Sequence, residues 1–194
     1  MQTEQKQSFR LILASGSPRR RELLARMGYR FEILVPDVDE HVEGPAREVV
    51  GILSLRKARA AAAQLSDGIV IASDTLVSLN GEALGKPADA QDARRMLLEL
   101  SGNTHEVFTG VALIDAASGR TLSRVVRTGV RFRDLSDEET CAYIRTGEPM
   151  DKAGAYAIQG GAHGFVEALD GSYENVIGFP VEDVRELLEE FTRE

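Results

Sequence analysis

Apolar runs and amphipathic stretches interleave from Arg10 to the end of the chain. Residues 10–14 (RLILA) are a short apolar run ending in small residues, the pattern of a buried strand. Ser15-Gly16-Ser17 is a tight turn, and Ser17 before Pro18 gives a helix N-cap followed by proline at the first helical position. Leu23, Leu24 and Met27 recur at helical spacing, and Gly28 ends that helix. Residues 29–35 alternate enough for a second strand, and residues 48–65 predict a helix with Val49, Ile52, Leu53 and Leu65 on its apolar stripe. Residues 68–73 (GIVIAS) read as a strand buried on both faces, running into Asp74-Thr75 and on to Asn80-Gly81, a strong hairpin signal. Asp89 caps a helix over 90–100 with Ala93, Met96, Leu97 and Leu100 inward. Residues 105–115 and 121–133 are two strands, Ser136 opens a short helix closed by Gly147, and a strand over 165–169 precedes a terminal helix over 181–191. Interleaving without strict alternation, with hairpins present, predicts an α/β protein of mixed α+β character.

Composition narrows the class. The polar first nine residues predict a disordered extension, and residues 10–194 a single domain. No apolar run approaches bilayer length and no signal-peptide core is present, so a cytoplasmic protein without a membrane partner is expected. Cys141 is the only cysteine, which excludes an intrachain disulfide. A net charge of −8 argues against nucleic-acid binding and makes any local cluster of cations conspicuous. A homodimer is the base-rate expectation.

One such cluster is Arg19, Arg20 and Arg21 in the first turn of the first helix. Three cations there oppose the helix macrodipole, whereas an anion on that turn would use N–H groups, the Ser15 and Ser17 hydroxyls and guanidinium forks together. A phosphate site is therefore favoured over a basic surface helix. Asp74 ends a strand buried on both faces, where a carboxylate is poorly solvated, and a chemical task is favoured slightly over a cap. Asp37, Asp39 and Glu40 read first as a solvated acidic loop, with divalent-cation binding as the alternative. Lys57 reads as an exposed helix lysine. Residues 81–86 fall one residue short of G-x-x-x-x-G-K and are followed by Pro87, so no Walker A motif is present, though Lys86 can reach a phosphate as a point charge. Residues 151–164, rich in glycine and alanine, contain a buried-looking Tyr156 and a polar Gln159.

The segments taken together resemble the Maf family of nucleoside triphosphate pyrophosphatases. The resemblance rests on LASGSPRR, DVDE, the Lys57-Ala58 pair, SDTLV, LGKP, LSGNTHEVFTGVAL, GEPMDKAGAYAIQG and GSYENVIGFP in that order. It implies an elongated mixed sheet flanked by helices, two lobes around a central cleft, in an inosine-triphosphatase-like fold. It also implies hydrolysis between the α and β phosphates with Mg²⁺ or Mn²⁺, and Gln159 resembles the branch acting on dTTP and UTP. On matching positions it implies Asp74 as proton acceptor, Arg19, Thr75 and Gln159 in base selection, and Glu40, Lys57 and Lys86 around the phosphates and metal. Asn103 departs from the arginine many relatives carry. A 7-methyl-GTP or modified-nucleotide pyrophosphatase, and a non-catalytic nucleotide sensor regulating septum formation, are the alternatives.

Overall fold

The computed structural model describes residues 7–193. Strand β1 (Leu11–Leu13) runs through the Ser-Gly-Ser turn into α1 (Pro18–Arg26), where the Ser17 hydroxyl accepts from the Arg20 N–H at 3.5 Å. Strand β2 (Glu32–Ile33) is far shorter than the strand expected over 29–35. It is an exposed sheet edge holding only two register pairs with β1, while Tyr29 and Phe31 pack against the core instead. Most of the expected disordered extension lies outside the described residues, but its last part is tied down. The Gln7 side chain accepts from the Arg30 N–H and donates to its carbonyl, and Phe9 lies against Tyr29.

Helix α2 (Ala46–Ala62) packs on one sheet face, and its stripe differs from the expected one. Ile52 is exposed, and the packing falls to Val50, Ala58 and Ala61 beside Val49 and Leu53. Strand β3 (Ile69–Leu79) continues straight through Asp74 and turns at Asn80-Gly81, both with positive φ (52° and 88°), into β4 (Glu82–Leu84). Helix α3 (Ala90–Leu100) buries Ala93, Met96, Leu97 and Leu100 and is capped by Asp89, as the sequence predicts. Strands β5 (Thr104–Asp115) and β6 (Thr121–Phe132) pair along nearly their whole length. A capping box between Ser136 and Glu139 starts α4 (Asp137–Arg145). Three short 3-10 turns then lead to β7 (Val166–Asp170), α5 (Tyr173–Ile177) and α6 (Val181–Thr192).

Among the described residues seven strands form one mixed sheet in the order β2-β1-β3-β5-β6-β7, with β4 on the far end of β3. β1 is parallel to β2 and β3, and every other pairing is antiparallel. Alternation along the strands divides the core between two faces. Leu11, Leu13, Ile69, Ile71, Val111 and Leu113 join the larger cluster with Leu23, Leu24 and the α3 and α6 stripes. Ile12, Ala14, Val70, Ala72, Ala112 and Ile114 meet Ala58 and Ala61 of α2. The α2 face is made of small side chains, so that helix lies close to the sheet. At Gly110 an added Cβ would sit 2.2 Å from the Val50 carbonyl oxygen. Among the described residues no helix is long and apolar enough to cross a membrane.

One buried histidine makes stability depend on pH. His105 is 1% exposed, its Nε2 is 2.8 Å from the Tyr156 hydroxyl, and its Nδ1 has no partner among the described residues. Burial lowers its pKa from 6.5 to about 4. Between those values the unfolded chain takes up a proton that the folded chain refuses, so this contribution is whole above pH 6.5 and is lost as pH falls towards 4. Unfolding free energy should lose about 1.4 kcal/mol per pH unit in that window from this group. Chemical denaturation of wild type and His105→Gln across the window checks it: the variant should show the shallower slope, and equal slopes would count against the assignment.

Candidate active site

β3 outruns its parallel neighbour. The β1–β3 register ends at Leu13 opposite Ile71, and β4 joins β3 only from Val77. Between them, residues 73–76 have β5 on one side and an opening on the other. The opening lies at the carboxyl ends of the parallel strands, where open α/β sheets place ligands. A cleft of about 890 Å³ extends from it, lined by Ser15, Ser17, Arg19, Arg20, Glu40, Lys57, Asp74, Thr75 and Lys86. Gln159 lies in an adjoining cavity of about 240 Å³ that shares Arg19, Lys152 and Tyr156 with the cleft. Arg21 is exposed and lines neither cavity, so two of the three helix-start arginines face this space.

Successive residues of β3 serve opposite sides. Asp74 points towards α2, where Lys57 Nζ lies 2.6 Å from Asp74 Oδ1 and 2.7 Å from Glu40 Oε1. Lys57 is therefore not the exposed lysine that its helix suggested: its side chain is 13% accessible. The hydrogen bond from Lys57 holds the Glu40 carboxyl below its ordinary pKa, and the charges of Lys86 and Arg20 act in the same direction. The loop carrying Glu40 is also held to α2 by a 2.5 Å bond from Arg56 Nη1 to the Asp39 carbonyl. Asp37 and Asp39 are exposed and stay outside the cleft.

On the other side, Arg20 is a strut. Its Nε donates to Gly178 O at 3.0 Å, and Nη1 donates to Ser73 O at 2.7 Å and to Ser15 Oγ at 3.4 Å. Nη2 donates to Thr75 Oγ1 at 3.3 Å, which in turn lies 2.9 Å from Thr109 Oγ1. Most of the five N–H groups of this guanidinium thus go to protein acceptors, two of which lie on the residues flanking Asp74. The guanidinium is thereby held as a fixed charge more than as a free fork. Desolvation lowers its pKa, opposed by the Asp74 charge. Arg19 and Lys86 make no side-chain bond among the described residues, which leaves both available to an incoming anion.

Sequence reasoning missed Lys152. Its side chain is 12% accessible and lies at the junction of the two cavities, paired with Asp151. The only sequence signal was a single basic residue in a run otherwise rich in small residues. With it, the cleft gathers, among the described residues, five cations (Arg19, Arg20, Lys57, Lys86, Lys152) against three carboxylates (Glu40, Asp74, Asp151), in a chain whose net charge is −8.

A mixed sheet that opens a cationic, carboxylate-bearing cleft beside its parallel strands defines a protein suited to a polyanionic small ligand. The chain belongs to the family described as Maf-like protein, whose model matches residues 10–191. Three similar curated proteins are each named dTTP/UTP pyrophosphatase. The one from Pelotomaculum thermopropionicum is 48% identical, with 93% of this chain and 96% of the relative covered. That from Vibrio cholerae is 50% identical (94% and 98% covered), and that from Escherichia coli O157:H7 is 48% identical (93% and 92%).

Proposed function

We propose that the chain hydrolyses nucleoside triphosphates, preferring dTTP and UTP, to the monophosphate and pyrophosphate. The observation that carries this reading is the Glu40–Lys57–Asp74 cluster facing Arg19, Lys86 and Lys152 across one cleft. The names and similarity of the relatives support the substrate class.

Asp74 accepts a proton from water as the water oxygen bonds to the α-phosphorus and the bond to the bridging oxygen breaks. The departing pyrophosphate carries the displaced electron pair, and Lys57 and Lys86 offset its charge. Arg20 bonds the residues on either side of Asp74, through the Ser73 carbonyl and the Thr75 hydroxyl, so the acceptor is set before substrate arrives. No covalent nucleophile is needed, and Ser15, Ser17 and Cys141 have no such part.

The residues fit a divalent cation of the magnesium or manganese type. Asp74 and Glu40 each spend one oxygen on Lys57, and their second oxygens have no partner among the described residues. Among the described residues no cluster of three or more His, Cys, Asp or Glu could hold a metal, so these two carboxylates would share the ion with phosphate and water oxygens, the usual Mg²⁺ arrangement. When bound, the ion supplies positive charge to the phosphate oxygens.

A panel of dTTP, UTP, CTP and 7-methyl-GTP, each with Mg²⁺, Mn²⁺ or chelator, tests the reading. Pyrophosphate should form from dTTP and UTP at least about tenfold faster than from the others, and only with metal. Preference for 7-methyl-GTP would overturn the branch, and tight binding without pyrophosphate would leave a nucleotide sensor.

A further inference from the structure

The turn that carries Gln159 is held by two side chains that the proposed chemistry does not use. Residues 157–160 form a β-turn closed by the Gly160 N–H donating to Ala157 O at 3.0 Å. On one flank the Ala157 N–H donates to Tyr143 Oη at 3.0 Å. On the other, the Gly161 N–H donates to Glu148 Oε2 at 2.8 Å. The Glu148 carboxylate lies so close to Gly160 that an added Cβ would stand 1.9 Å from Oε1. Gly160 has φ −109°, an ordinary backbone angle, so a larger residue there would be opposed only by the Glu148 carboxylate, which would have to move. The Gln159 side chain is exposed and makes no hydrogen bond among the described residues, so backbone position alone places it. The Ile158 and Gln159 N–H groups likewise have no partner among the described residues.

These facts bear on base selection, and the inference rests on the proposed hydrolysis of dTTP and UTP, with the base seated in the cavity that Gln159 lines. A glutamine amide can turn over and match either uracil or cytosine, because it has both a donor and an acceptor end. Backbone N–H groups cannot turn over. Held at the cavity wall, they donate to the O4 carbonyl of uracil or thymine and oppose the amino group of cytosine, which is also a donor.

We propose that Glu148 is a positioning residue for base discrimination: it fixes the Gln159 turn so that the turn's N–H groups face the base edge. The carboxylate acts through the turn.

The test measures binding of the α,β-methylene analogues of dUTP and dCTP, with steady-state kinetics on dTTP, for wild type, Glu148→Ala, Glu148→Gln and Gly160→Ala. Glu148→Ala should weaken the uracil analogue about tenfold, the size of one lost charge-assisted hydrogen bond, and change the cytosine analogue by less than about twofold. For dTTP the loss should fall on KM and not on kcat. Glu148→Gln keeps an acceptor for Gly161 and should restore discrimination, while Gly160→Ala should displace the carboxylate and copy Glu148→Ala. If Glu148→Ala does not fold, the other two variants carry the comparison. Equal weakening of both analogues, a loss confined to kcat, or a Gln variant as impaired as the Ala variant would overturn the proposal. Selective analogue binding by a wild type that releases no pyrophosphate would sink the hydrolase reading and leave this one standing.

Discussion

Replacing Asp74 by asparagine should cut pyrophosphate release from dTTP by about 10²-fold or more, the typical weight of general acid–base catalysis. The fold should survive the change. Asparagine has nearly the same shape, its Oδ1 can still accept from Lys57 Nζ, and Lys57 keeps Glu40 as a counter-ion 2.7 Å away. What is lost is the carboxylate that, in the proposed mechanism, takes the proton from water. The measurement is turnover at saturating dTTP beside a thermal melt. A variant with an unchanged melt and near-full turnover would remove Asp74 from the mechanism.

Gly110→Ala should have the largest effect on stability. Gly110 is the cross-strand partner of Asp74 on β5, and both face α2. A methyl group there would meet the Val50 carbonyl at 2.2 Å and its carbon at 2.6 Å, and both atoms belong to the helix backbone, so no side chain can swing away. The helix must lift. Overpacking of this kind costs about 3 kcal/mol, or roughly 6–12 °C in Tm for a chain of this size. Because α2 also carries Lys57, lifting it should lengthen the Lys57–Asp74 contact and reduce turnover at least about tenfold. Gly164→Ala is the control, since a Cβ there meets nothing within 4 Å. If both variants melted together, the close approach of α2 would not matter to stability.

Much of the fold was legible because it is written in local chemistry. Ser17-Pro18 and Asp89 start helices by bonding their own first turns, Asn80-Gly81 supplies two positive φ values in a row, and the α3 stripe follows from helical spacing alone. The features that were not legible depend on distant partners. β2 is short because it lies at an edge, and Ile52 is exposed because the face of α2 turned to the sheet runs through residues 46, 50, 54, 58 and 61, which leaves residue 52 off it. The site divides in the same way. Asp74 stood out as a carboxylate in an apolar run. Lys57 looked like any helix lysine, since Glu40 and Asp74 lie 17 residues from it on either side in sequence and meet it only after folding. Arg20 was readable as a cation but not as a strut, because its acceptors at Ser73 and Gly178 are 53 and 158 residues away.

The opening beside residues 73–76 also bears on self-association. A stretch of strand without a neighbour is a template for some other chain's backbone. Here α1 stands at one end and the Asn80 hairpin at the other, which limits the open edge to a few residues, and Arg20 already occupies the Ser73 carbonyl. A foreign strand would find too little length to zip and one of its acceptors taken. A compact anion needs neither, so the gap proposed to admit a nucleotide gives aggregation little to hold.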